Sequence, residues 1–158
     1  MLDVGGVETG TVDFSKELVR RGHKVIVVSG GGNMVKELSA MDVKHIKLPV
    51  YRKSIFTVIA MIKRLEYILK EEHIDVVHAR SRVPAIIAFF ASRYTDSAFV
   101  TTAHGYYSTH LLSRIMGWGK FVIVASNIIG RHMMQDFGVP RDRIRFVPRG
   151  VDLERFRF

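Results

Sequence analysis

The chain has 158 residues, of which 47% are hydrophobic and 25% charged, enough to bury one sizeable core in a single domain. No apolar run reaches the roughly 18 to 20 residues that a membrane span needs, no basic and apolar leader follows Met1, and the lack of Cys excludes a disulfide scaffold, a thiolate metal site and a Cys nucleophile. The 24 Lys and Arg exceed the 15 Asp and Glu to leave a net charge of +9, which points to nucleic acid, an anionic membrane surface or a phosphorylated substrate, or else to a plain solvated basic surface.

In chain order, Gly5-Gly6-Val7-Glu8 opens a helix that carries Val12, Leu18 and Val19 and stops at Gly22. Two glycines before a helix suit the approach of a phosphate or sugar to backbone N–H groups, although the same pair also serves ordinary turns. A strand over 24–29 follows, then the turn Gly30-Gly31-Gly32-Asn33, a short helix over 34–40 and a short strand over 44–48. The longest helix covers 54–72, with Ile55, Ile59, Ile62, Leu65 and Leu69 on one face at helical spacing. Next come a strand over 75–78, a helix over 82–94 with Pro84 in its first turn, and a strand over 98–103 that ends at His104-Gly105-Tyr106-Tyr107. A strand over 121–125, a helix over 127–137 capped by Ser126, and a strand over 144–147 complete the series.

Short apolar strands alternating with helices imply a Rossmann-like, doubly wound α/β fold, a parallel sheet with helices on both faces. Ligands of such sheets bind beyond the carboxyl ends of the strands. The loops at Gly5-Gly6, 30–33, 79–82, 104–107 and Ser126 are therefore expected on one rim.

The glycine loop with KELVRRGHKVIVVS, then DVVHARSR, FVTTAHGYY, VIVASN and VPRGVDLERF, occur in the order and spacing of one family. Over nearly its whole length the chain resembles the N-terminal, acceptor-side domain of family 4 glycosyltransferases, one half of the GT-B fold. The resemblance implies a retaining transfer of sugar from a nucleotide-sugar to a cell-envelope glycan, lipopolysaccharide or lipid-linked acceptor. It implies no obligatory metal and no cofactor, a donor held mainly by a second domain, and a chain inactive alone. Residues 1–147 then form the Rossmann-like domain and 148–158 begin the interdomain linker. A cytoplasmic protein is implied, peripheral at the inner face of the membrane.

Carried onto this sequence, the resemblance makes His104 the catalytic candidate, at the reacting sugar, against a structural role in capping a strand end. Gly5 and Gly6 match the loop that approaches donor diphosphate or acceptor. Arg80 and Arg82 are expected to reach the same cleft and to suit a phosphorylated or carboxylated acceptor, or else to be surface arginines. Tyr106 and Tyr107 either stack on a sugar or pack in the core. Ser126 is a helix N-cap or a ligand contact, and Arg149 stands where many relatives have Asn. The basic residues Arg52, Lys53, Lys63, Arg64 and Lys70 beside the long helix would suit an anionic bilayer. The seven His lack metal-ligand spacing, and no Asp-x-Asp occurs.

Two other classes compete. A basic nucleic-acid binder is favoured by charge alone, without helix-turn-helix, aromatic strand motif or GxxG clamp, and no nucleic-acid partner is expected. A dinucleotide-binding oxidoreductase shares the fold class, but Gly-Gly is not Gly-x-Gly-x-x-Gly. The resemblance also places a central strand before the glycine loop, where only Met1 to Val4 stand. The strands over 24–29 and 75–78 are therefore expected to flank that place without pairing to each other.

Overall fold

The structure, a computed structural model, describes residues 2, 3, 5–148 and 150. Arg149 and nearly all of the expected linker lie outside the described residues. In order along the chain stand α1 (Gly6–Arg20), β1 (Ile26–Ser29), α2 (Val35–Ser39), β2 (Lys44–Lys47), α3 (Ile55–Glu71), β3 (Val76–Ala79) and α4 (Arg82–Ser92). They are followed by β4 (Ala98–Ala103), a 3-10 helix (Leu111–Gly117), β5 (Phe121–Val124), α5 (Asn127–Gln135), a 3-10 turn (Arg141–Arg143) and β6 (Ile144–Phe146). Every strand pairing is parallel, with His78 beside Val100, Thr102 beside Ile123 and Ile123 beside Arg145 in the register. The α/β alternation read from the sequence is the fold observed, helices packed on parallel strands.

The helix α1 ends where its sequence says. Gly22 takes φ +82, its N–H donates to Val19 O, and the N–H of His23 reaches back to Leu18 O at 3.0 Å. That pair of bonds satisfies two carbonyls the last turn would otherwise leave open, and glycine reaches the left-handed region without steric cost.

The strands fall into two groups, β1-β2 and β3-β4-β5-β6, and β1 does not pair with β3. This agrees with a place between them for one more strand. Leu2 borders that place: its N–H donates to Gly31 O at 2.6 Å and its carbonyl accepts from Met34 N. Gly32, at φ +145, allows the approach, because a Cβ there would meet the Leu2 backbone at 2.4 Å. The core also forms two clusters, with Val28 of β1 and Leu48 packed against the larger one. Leu2, Val12, Val27, Met34, Leu38 and Val43 form a small cluster, while the larger one runs from Leu65 and Leu69 through Ile87, Ala88 and Phe99 to Val122 and Met133. Opposite the open rim the two halves are tied by Glu72, whose carboxylate takes Lys24 at 2.8 Å and Lys44 from the β1 and β2 side. Those two ammonium groups hold the Glu72 carboxyl at about 2, well below its ordinary range.

Two expectations need correction. The buried face of α3 is Leu65, Ile68 and Leu69, with Val58, Met61 and Ile62 packed against the core, whereas Ile55 and Ile59 are exposed. Ile55 stands at the edge of the packed face and Ile59 beyond it, so spacing alone overstated the width of the apolar face. The segment after Tyr107, left unassigned from sequence, contains the 3-10 helix that buries Ser113, Ile115 and Met116 and is held by Thr101 Oγ1 donating to Met116 O at 2.7 Å. Its turn is too short to print a periodicity.

Candidate functional site

Parallel pairing of β3 with β4 sets Ala79 beside Thr101 and brings the residues that follow both strands to the same end of the sheet. There Arg80 donates from Nε to His104 Nε2 at 3.3 Å and from Nη1 to Thr11 Oγ1 at 2.9 Å. The guanidinium is thus spread between α1 and the end of β4. Gly10 makes room for it, since a Cβ there would lie 3.2 Å from Arg80 Nη2. With Nε2 accepting, the proton of a neutral His104 ring stands on Nδ1.

His78 lies two residues before Arg80 on β3, hence on the same face. Its Nε2 stands 2.6 Å from Thr102 Oγ1, and Phe14 of α1 meets its ring edge-on at 6.0 Å. Burial first, and then the charges of Arg80 and His104, push the imidazole down to about 4, so it is neutral near pH 7. A buried neutral histidine therefore stands within the electrostatic reach of the Arg80 cation.

The loop after His104 is anchored from α5. Buried His132 donates from Nδ1 to Asp136 Oδ2 at 2.6 Å, which leaves Nε2 to accept the Tyr107 N–H at 3.1 Å. The exposed ring of Tyr106 lies on His132, with centroids 4.6 Å apart. Tyr107 Oη accepts from His104 N at 3.4 Å, and burial raises the phenol above its ordinary value. The sequence reading missed Thr11, His78, His132 and Asp136; a polar residue inside a strand was the one local sign, at His78.

The other candidates separate. Arg82 turns from the Arg80 pair and donates to Ser113 Oγ of the 3-10 helix at 3.4 Å, although its charge still faces the Tyr107 phenol. The two arginines thus have different partners, Arg80 following β3 and Arg82 beginning α4. Ser126 caps α5, its Oγ accepting from Ile129 N at 3.3 Å. Gly5 precedes α1 in extended backbone that any residue adopts, and a Cβ there would meet only the movable carboxylate of Glu8. Gly6 is the exposed first residue of the helix. Gly5 is thus not demanded by its backbone or its packing.

Among the described residues no group of three His, Cys, Asp or Glu is placed to hold a metal ion. Two open grooves lie away from the Arg80 pair, one of about 680 Å³ between α5 and β6 and one of about 620 Å³ beside Lys70 and Asp96.

Fold and site together define a Rossmann-like half-domain with a polar rim at the carboxyl ends of its strands. The profile of Glycosyltransferase Family 4 matches residues 4–155, and the chain belongs to that family. A glycosyltransferase from Rickettsia africae is similar over 96% of this chain and 43% of its own, with 34% identity and a TM-score of 0.85. The Anabaena protein HepE in complex with UDP-glucose shares the fold at 15% identity and a TM-score of 0.71, covering 96% of this chain and 42% of its own. The lipopolysaccharide outer core galactosyltransferase WaaB does so at 15% identity and 0.73, covering 97% and 44%. No curated protein matches the sequence. The chain thus spans less than half the length of these relatives, consistent with the N-terminal half of a GT-B fold.

Proposed function

We propose that this chain is the acceptor-side half of a retaining glycosyltransferase that takes a sugar from a nucleotide-sugar and passes it to a cell-envelope glycan or a lipid-linked acceptor. The observation that carries the reading is the Arg80 and His104 pair at the carboxyl ends of β3 and β4, tied to α1 through Thr11. His104 would donate to a hydroxyl of the reacting sugar, and Arg80 would hold the imidazole in the tautomer that can do so. Arg82 and Tyr106 supply a cation and an aromatic face for the acceptor, and Gly5-Gly6 leave the start of α1 open to a diphosphate. The UDP-glucose held by the Anabaena relative supports a nucleotide-sugar as donor. The donor is gripped mainly by a second domain, and the reaction takes place at the inner face of a membrane.

The test joins the chain to its second domain and follows transfer from a panel of nucleotide-sugars, with His104→Ala as the comparison. Turnover should fall roughly ten- to thousandfold, the scale of losing one transition-state donor. The chain alone should show none. Full turnover from the isolated chain, or from His104→Ala, would overturn the reading.

A further inference from the structure

We infer that His132 and Asp136 of α5 are positioning residues of the sugar transfer, holding the loop 104–107 in the shape that presents His104 and the ring of Tyr106 to substrate; this rests on the transferase reading for its purpose. The loop needs support from outside. Among the described residues no backbone-to-backbone hydrogen bond involves 105–109, and a Cβ at Gly105 would meet nothing within 4 Å. Side chains therefore set its course, and two of their bonds meet at Tyr107. Its Oη accepts from His104 N at 3.4 Å, which closes the loop on itself, while its N–H donates to His132 Nε2 at 3.1 Å, which fixes the loop to α5.

The imidazole can accept that bond in one tautomer only. Nε2 stands 3.1 Å from both the N and the O of Tyr107, so it either accepts from the one or donates to the other. Asp136, one helical turn further on, decides between them. Its Oδ2 lies 2.6 Å from Nδ1 and accepts from it, which keeps the proton on that nitrogen and leaves the lone pair of Nε2 for the Tyr107 N–H. The ring is 6% exposed, with Tyr106 against it at 4.6 Å and Phe137 edge-on at 5.1 Å, so it cannot turn to another partner without unpacking.

The consequence falls on His104 and Tyr106. The ring that accepts from Tyr107 is also the surface against which the exposed Tyr106 ring rests, and His104 is bonded through its own N–H to the Tyr107 phenol. A loop released from α5 frees the imidazole and the aromatic face together. Displacing such groups by roughly 1 Å costs about a hundredfold in rate, although neither His132 nor Asp136 itself has to touch substrate.

Three variants of the two-domain enzyme separate positioning from stability. Asp136→Asn, at a side chain 49% exposed, should lower kcat roughly tenfold and His132→Leu roughly a hundredfold, with the donor KM unchanged because the second domain grips the donor. His132→Gln should keep kcat within about threefold, since its amide oxygen reaches about as far as Nε2 and accepts the same N–H. In the isolated chain, NMR reads the ring nitrogens of His132 and the hydrogen exchange of the Tyr107 amide without donor, acceptor or turnover. The proton is expected on Nδ1, and exchange should quicken about tenfold in Asp136→Asn and His132→Leu but not in His132→Gln. A parent enzyme without turnover marks failure of the transferase reading alone, and the exchange then still tests the anchor. A proton on Nε2, exchange alike in parent and variants, or full kcat in both Asp136→Asn and His132→Leu would overturn the inference. So would a loss in His132→Gln as large as in His132→Leu, which would make the histidine a packing residue.

Discussion

Arg80 holds His104 through a 3.3 Å bond from its Nε, and the same guanidinium reaches Thr11 on α1. One side chain thereby links the end of β3, the end of β4 and the helix behind the glycine loop. In the two-domain enzyme, Arg80→Ala should lower kcat roughly ten- to a hundredfold with little change in thermal stability. Arg80→Lys should recover only part of this, since an ammonium cannot reproduce the fork that meets both partners. Steady-state kinetics beside a melting curve separates the two effects, and a kcat unchanged in Arg80→Ala would remove Arg80 from the site.

His78 makes stability depend on pH. Its folded value of about 4 lies below the unfolded 6.5, so between these values the unfolded chain binds more protons than the folded one. The contribution is complete above about 6.5 and is lost as the pH falls toward 4, a change on the order of 2 to 3 kcal/mol. His78→Gln should flatten the stability profile across that window. Urea unfolding followed from neutral pH to pH 4 checks this, and an unchanged slope in the variant would assign the acid sensitivity elsewhere.

Ser126 distinguishes a cap from a ligand contact. Removing the hydroxyl with Ser126→Ala should cost about 1 kcal/mol of stability, while Ser126→Asp, which also caps, should keep most of it. If the alanine variant loses turnover beyond its folded fraction, and added donor sugar restores it, the serine also touches ligand.

The divided core predicts a cost on each side. Leu38 in the small cluster and Ile87 in the large one are both fully enclosed, and each change to Ala should cost about 2 to 5 kcal/mol. Chemical denaturation reads both. Because Leu38 and Ile87 belong to separate clusters, the double variant should come close to the sum of the singles.

Much of the fold was legible because its signals are local. The apolar runs at 26–29, 98–103 and 121–124 are strands, Gly22 stops α1 in a left-handed turn, and Ser126 caps α5. The family resemblance placed His104 at a strand end, and it stands there. Misreadings fell where a local pattern has two outcomes. Ile55 and Ile59 continue the helical stripe of α3, yet spacing does not say how wide a stripe the neighbouring elements cover. For Arg80 and Arg82, two residues apart, the sequence offered no sign of their separate partners, Thr11 and Ser113.

The amino-acid sequence by itself determined which segments are helix and which are strand, that the strands run parallel, and that the site belongs at their carboxyl ends, because propensity, capping and crossover handedness act over a few residues or through general rules. Only the tertiary structure decided that Arg80 meets Thr11, 69 positions away, and that His132 holds the loop of Tyr107 from 25 positions away. Such contacts depend on how the register of β3 against β4 and the seat of α1 and α5 on the sheet bring distant backbone together. No single stretch of sequence encodes that distance, since it arises from the packing of all of them at once.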